Sequence, residues 1–195
     1  MRRRLSFFSL SLFLVFTAQA QFLSPGVFDT APDGYWVGIE EVVSHTDGEL
    51  DGLTTYRVYL HCLNSGDYLS SVSGSVLNPL ELTTTTSWYQ NDSGSQFGSM
   101  INPAFFQYVP TMEYDSWLTI GAENSTEGIV LSQAVGDFDP FVIFEAGNSI
   151  LIDDPTGSAW FVPFPGAGSS DLPSFAGDDL KILLAQLTTD GDVSG

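Results

Sequence analysis

Alternation of apolar and polar positions is the dominant pattern along this chain. The clearest case is the run 54–62, TTYRVYLHC, in which apolar residues alternate with Arg57, Tyr59 and His61. A period of two places successive side chains on opposite faces of a β-strand. Together with β-branched and aromatic residues, such patterns predict strands at 35–43, 54–62, 68–72, 80–84, 114–122, 141–144, 149–152, 159–164 and 181–188.

The segment 178–192, DDLKILLAQLTTDGD, allows two interpretations. Leu180, Leu183, Leu184 and Leu187 have the spacing of one helix face. The same residues also suit a strand that is apolar on both faces, which belongs inside a sheet protein. We favour the strand, followed by a hairpin turn at Asp190-Gly191.

Polar segments rich in glycine and aspartate separate the predicted strands. The segment HTDGELDG, residues 45–52, predicts a turn, and residues 90–108 predict a long loop with one helical turn at 103–106. Many short strands with turn residues between them are typical of sandwiches and barrels. The sequence therefore predicts an all-β fold, specifically an antiparallel, jelly-roll-like β-sandwich.

The N-terminus has the pattern of a secretory signal peptide. Arg2, Arg3 and Arg4 precede the apolar run 5–16, and Ala18-Gln19-Ala20 fits the cleavage rule. We expect residues 1–20 to be removed and residues 21–195 to form a single secreted domain. An uncleaved membrane anchor is the alternative, but the apolar run is shorter than the ~20 residues that span a bilayer.

Charge narrows the range of partners. Removing the three arginines of the signal peptide from a chain of net charge −19 leaves −22, with Arg57 and Lys181 as the remaining basic residues. Such a chain repels nucleic acids and anionic membranes, attracts divalent cations, and suits a saline medium. Cys62 is the single cysteine, so no intrachain disulfide can form, and we expect it to be buried in its strand.

Five segments in order resemble a module that recurs in large secreted and surface proteins of marine bacteria. They are GLTTYRVYLHC, DYLSSVSG, INPAFF, YDSWLTIG and GDDLKILLAQLTTDG, and the resemblance spans residues 37–195. It implies an all-β extracellular module without established activity or functional residues. Members usually continue into a further strand where this sequence ends, so the resemblance also implies strand exchange with another chain at the C-terminal edge.

Several enzyme chemistries lack their residues in this sequence. His45 and His61 are the only imidazoles, and the sequence contains no G-x-S-x-G motif. Zinc sites need three or four ligands, and His61 and Cys62 point to opposite faces of one strand. Glycoside hydrolysis needs only two carboxylates and therefore stays open as a minor alternative.

Calcium is better supported by the sequence than zinc as a metal ligand. Its oxygen ligands come from acidic side chains in turns. Asp47, Glu49 and Asp51 offer three carboxylates with intervening glycines, and Asp153-Asp154 is a second candidate. The alternative is that aspartate and glycine only form the turns.

Exposed aromatic residues suggest carbohydrate binding, because aromatic rings stack on the apolar faces of sugars. Trp117 and Trp160 lie in predicted core strands, whereas Trp88 and Tyr89 open the long loop and are expected to be exposed. The sequence thus predicts a non-enzymatic structural or adhesive module that binds matrix proteins, surface proteins or glycans, assisted by calcium. A carbohydrate-binding domain is the main alternative.

Overall fold

The computed structural model describes residues 32–164 and 171–195. The predicted signal peptide, residues 1–20, and the first residues of the predicted mature domain lie outside the described residues. Within them the strands are β1 (Trp36–Ser44), β2 (Thr54–His61), β3 (Ser71–Gly74), β4 (Leu80–Thr84), β5 (Trp117–Leu118), β6 (Ser132–Ala134), β7 (Ile150–Ile152), β8 (Ser158–Phe161), β9 (Lys181–Thr189) and β10 (Val193–Ser194).

The described strands form three sheets whose paired strands are all antiparallel. The largest has the order β1-β2-β9-β5, and the two smaller ones have the orders β10-β4-β7 and β3-β8-β6. The expected all-β class is confirmed. Six of the nine predicted strands correspond to an observed strand over at least half of their length, and 68–72 shares only residues 71–72 with β3. The strands β6 and β10 were not predicted.

The four-stranded sheet takes its register from the alternation seen in the sequence. Ile39 of β1 pairs with Val58 of β2, and Val58 pairs with Ala185 of β9. These apolar residues lie on the inner face and join a core to which all three sheets contribute. A β-bulge between Glu41 and Val43 interrupts the pairing of β1 with β2 near one end.

Two strand predictions in the middle of the chain were wrong. Residues 141–144 belong to the α-helix α1, Pro140–Glu145, because Asp139 caps its first turn by accepting from the Phe141 and Val142 N–H groups, and Pro140 occupies a first-turn position. In 114–122 only Trp117–Leu118 is strand, and a 3-10 helix, Pro110–Tyr114, precedes it. The predicted helical turn at 103–106 is confirmed as the 3-10 helix Pro103–Phe105.

The segment 178–192 is a strand, as we favoured, but it does not turn into a hairpin. After β9 the chain passes Asp190-Gly191, and β10 then pairs with β4 of a different sheet. Thr85 N–H donates to the Asp192 carbonyl over 3.1 Å, which holds this crossing in place. β10 is an edge strand of its sheet, and strand exchange at this edge stays a prediction.

The core is rich in aromatic and aliphatic side chains. Trp117, Trp160 and Cys62 are buried, as predicted. None of the described helices is long and apolar enough to cross a bilayer.

Candidate functional site

The turn expected to bind calcium lies on the surface. Asp47, Glu49 and Asp51 flank or occupy the 3-10 helix Gly48–Leu50 and are exposed, while Leu50 anchors the turn in the interior. The described residues contain no group of three or more acidic, histidine or cysteine side chains arranged to hold a metal. Calcium binding at this turn stays a prediction.

The second calcium candidate forms a turn of its own. Asp153 is exposed, and Asp154 Oδ1 accepts from the N–H groups of Thr156 and Gly157 at 2.9 and 2.8 Å. The other oxygen, Oδ2, is buried and has no hydrogen-bond partner among the described residues. Asp154 therefore shapes the turn, which is the role that the turn-forming alternative assigned to it.

The expectation that Trp88 is exposed was wrong. Trp88 is only 2% exposed, and its side chain belongs to the main core. The backbone N–H of Trp88 donates to the carbonyl of Gly147, just after α1, and this hydrogen bond draws the loop inward. Tyr89 is half-buried, and its hydroxyl donates to Glu49 at 3.4 Å. The structure thus brings Tyr89 next to the predicted calcium turn, but it does not place a sugar-stacking pair there.

An aromatic and charged surface lies instead on the outer face of the four-stranded sheet. Cross-strand pairing puts Trp36, His61 and Lys181 in one row over β1, β2 and β9. The next row holds Gly38, Tyr59 and Leu183. We call Trp36, His61, Tyr59 and Lys181 the outer-face platform.

Trp36 presents a flat ring on this platform. Its ring stacks on His61 with 3.6 Å between centroids and 2° between planes. Trp36 is 40% exposed, and His61 covers one face of its ring. Gly38 makes this possible, because a Cβ there would lie 2.5 Å from Trp36 Cζ3.

The surroundings of His61, beneath the tryptophan, favour the neutral form of its imidazole. Burial, and then the positive charge of Lys181, lower the pKa of the imidazole below its usual value, and Glu40 opposes this only in part. Its Nε2 atom is buried without a hydrogen-bond partner among the described residues. The stack therefore pairs the partly exposed Trp36 ring with an imidazole whose surroundings favour its neutral form.

Both basic residues of the described chain belong to this face. Lys181 forms an ion pair with Glu40 and lies 5.1 Å from the centroid of the Tyr59 ring. The Arg57 guanidinium binds both carboxylate oxygens of Glu123, at 2.9 and 2.8 Å. Both basic residues thus form ion pairs with exposed glutamates on the surface of the sheet.

A polar groove of about 550 Å³ continues from the platform. Tyr59 and Lys181 belong to both, and the exposed carboxylates of Glu123, Asp178 and Asp179 lie along the groove. The remaining lining residues are Gly121, Pro173, Phe175, Ala176, Gly177 and Leu183. The combination is a flat exposed ring beside a groove of hydrogen-bonding groups.

A buried carboxyl group contacts the first residues of the long loop. Asp115, which lies within the predicted strand 114–122, is fully buried. Its oxygens accept from the backbone N–H groups of Asn91 and Ser95 at 2.7 and 3.0 Å. Burial, with a smaller contribution from the charge of Glu145, raises the pKa of Asp115 to about 7 against the opposing effect of these donors. Asp115 holds the loop 91–95 and has no access to a substrate.

Sequence reasoning overlooked Trp36 although a signal was present. In the run 35–43 the inward positions are Val37 and Ile39, so Trp36 falls on the outward face together with Gly38. A large aromatic residue next to glycine on the outward face of a strand indicates a ring that lies flat on the sheet.

Comparison of the chain with protein-family models, curated proteins and solved structures finds no match.

Proposed function

We propose that the protein is a secreted, non-enzymatic adhesive module that binds neutral glycans on the outer-face platform. The observation that carries this proposal is the partly exposed Trp36 ring, stacked on His61 in the same row as Lys181, which lines a polar groove. As part of the proposal, the three sheets pack as a jelly-roll-like sandwich that presents this face, and the chain belongs with the surface modules that its sequence resembles.

Ring stacking would supply the affinity. The apolar face of a pyranose covers an aromatic ring of similar size, while the polar edge of the sugar stays in contact with water. Trp36 is held flat by His61 and Gly38, so it loses little freedom when a sugar binds. Such pre-organisation suits a surface that must bind repeated sugar units.

The groove would supply orientation. Carboxylates accept hydrogen bonds from sugar hydroxyls, and Lys181 donates them. The glutamates nearest to the platform form ion pairs, Glu40 with Lys181 and Glu123 with Arg57. This pairing favours a binding role over acid–base chemistry. The strongly acidic chain disfavours anionic polysaccharides, so we infer neutral sugars.

A glycan array followed by calorimetry on the mature protein tests the proposal. We expect saturable binding of a neutral glycan and a loss of at least about tenfold in affinity for Trp36→Ala, which corresponds to roughly 1.4 kcal/mol. Tyr108→Ala, which removes an exposed aromatic residue outside the groove lining, is the matched control and should bind normally. Equal losses in both variants, or no glycan binding by the wild type, would contradict the proposal.

Gly38→Ala gives a finer test of the same surface. The added methyl group displaces the Trp36 ring, whose contacting atom is at the far end of a side chain that can move. We expect weaker glycan binding with a change in Tm of only a few degrees. Unchanged affinity would show that the flat orientation of the ring is irrelevant to binding.

A further inference from the structure

A second cavity, unconnected with the proposed glycan function, lies where the three sheets meet. Its volume is about 470 Å³. All three sheets contribute apolar side chains to it. The β10-β4-β7 sheet provides Leu80 and Leu82, and the β3-β8-β6 sheet provides Val72 and Trp160. The four-stranded sheet provides Val37, Val58, Leu118, Leu184 and Ala185.

Burial distinguishes the floor of this cavity from its rim. Val58, Leu82, Leu118, Trp160 and Ala185 are buried and form the floor. The exposed lining residues are Ser73, Asn78, Pro79 and Glu81, and they form the rim. The cavity therefore has an apolar interior and an opening with polar residues.

The size is far beyond ordinary packing defects. Protein interiors leave few voids larger than a water molecule, which occupies about 30 Å³ of the liquid. Ligand pockets are typically about 300–1,000 Å³ with apolar walls and few polar groups. An engineered apolar cavity of about 150 Å³ stays dry and binds benzene, so this one has room for a considerably larger apolar group.

We propose that this cavity binds a small uncharged amphiphile, with a medium-length alkyl chain against the floor and an uncharged polar head at the rim. Ser73 and Asn78 at the rim offer hydroxyl and amide groups to such a head. The alkyl chain would replace water along Val58, Leu118 and Trp160.

Charge excludes an anionic head. The described residues that line the cavity include no lysine, arginine or histidine, and Glu81 lies at the rim. Arg57 and Lys181 are on the opposite, outer face of the four-stranded sheet. A carboxylate head would thus meet no counter-charge and would be repelled by the acidic surface.

Displacement of the uncharged fluorescent probe N-phenyl-1-naphthylamine from the mature protein tests the proposal. We expect saturable probe binding that decanol displaces at least about tenfold more effectively than decanoate, measured where decanoate is ionised. No saturable binding, or equal displacement by both competitors, would overturn the proposal.

Filling variants locate the binding. Val37→Phe and Val72→Phe add bulk to the cavity from two different sheets, and Val42→Phe makes the same change at an exposed position of β1 outside the lining. We expect a folded filling variant to lose probe binding and Val42→Phe to retain it. Full probe binding by a folded filling variant would overturn the assignment. If both filling variants fail to fold, the competition of decanol and decanoate for the probe site of the wild-type protein decides the question.

Discussion

At the scale of single residues, Asp115 couples the fold to pH. Its carboxyl group is buried under the long loop and accepts two backbone N–H groups. Its pKa is about 7 in the native state, whereas an aspartate in an unfolded chain titrates near ~3.9. The native state therefore keeps a proton that the unfolded state releases between these two values.

This difference predicts how stability changes with pH. Because the native state binds the extra proton, the contribution of Asp115 to the free energy of unfolding is highest at low pH, falls as pH rises through the window of about 4 to 7, and is constant above it. Asp115→Asn removes the titration, so the stability of wild type relative to the variant should fall across the window by up to about 4 kcal/mol. Urea melts of both proteins over this range measure it, and parallel profiles would refute it.

Tryptophans show what can be predicted at single positions. Burial of Trp117 and Trp160 follows from their place in apolar runs, but Trp88 follows polar threonines and a serine and nevertheless lies in the core. Its position depends on a contact with Gly147, about sixty residues away in sequence. No local pattern contains such a contact, and the exposure of Trp88 was consequently predicted wrongly.

At the scale of elements, a threonine cluster joins the end of β9 to β4. The hydroxyl groups of Thr84 and Thr86 lie 2.9 and 3.0 Å from that of Thr189. Gly191 passes directly over this cluster, since a Cβ there would lie 2.4 Å from Thr84 Oγ1 and 2.6 Å from Thr86 Oγ1. Glycine at this position allows β10 to reach the second sheet instead of folding back on β9.

Gly191→Ala should separate these elements. The methyl group must push the threonine hydroxyls apart, so we expect a loss of about 1–3 kcal/mol in the free energy of unfolding. Gly66→Ala is the matched control, because a Cβ there meets nothing within 4 Å, and its stability should stay within about 0.5 kcal/mol of wild type. Chemical denaturation of both variants provides the comparison, and equal stabilities would contradict the role of Gly191.

Strands were predictable where two faces differ, and elements defined by capping were not. β2 and β4 carry enough alternating or β-branched residues to specify strands by themselves, whereas the segment of β9 is apolar on both faces and also fitted a helix. The four apolar residues 141–144 are too few to distinguish a strand from a helix by period, so Asp139 and Pro140 decided the outcome. The pairing of β10 with β4 is a long-range choice for which the sequence offered only a misleading Asp-Gly turn.

At the scale of the whole molecule, the excess of acidic residues is the basis of the calcium prediction. Asp47, Glu49 and Asp51 are close in sequence and exposed on one turn, where their charges repel each other. Extracellular modules bind calcium in the range of about 10⁻⁴–10⁻³ M. A cation at this turn would stabilise the native state in proportion to its occupancy.

Thermal melts with and without millimolar calcium test this at constant ionic strength. We expect calcium to raise the Tm of wild type, and the double variant Asp47→Asn/Asp51→Asn to lose this increase. The control variant Asp33→Asn/Asp92→Asn removes the same charge from exposed positions elsewhere, and its Tm should still increase with calcium. A Tm that is insensitive to calcium would eliminate the calcium prediction.

The bulge in β1 has a consequence for the protein in concentrated salt. β1 is the nine-residue edge of the largest sheet, and an open edge of this length invites aggregation with other chains. Glu40 and Glu41 discourage this through charge, but at an ionic strength of about 1 M the Debye length is only ~3 Å and their repulsion fades. The extra residue between Glu41 and Val43 distorts the edge geometrically, and geometry is not screened. We therefore expect the bulge at Val42, more than the carboxylates of this strand, to limit association at this edge in concentrated salt.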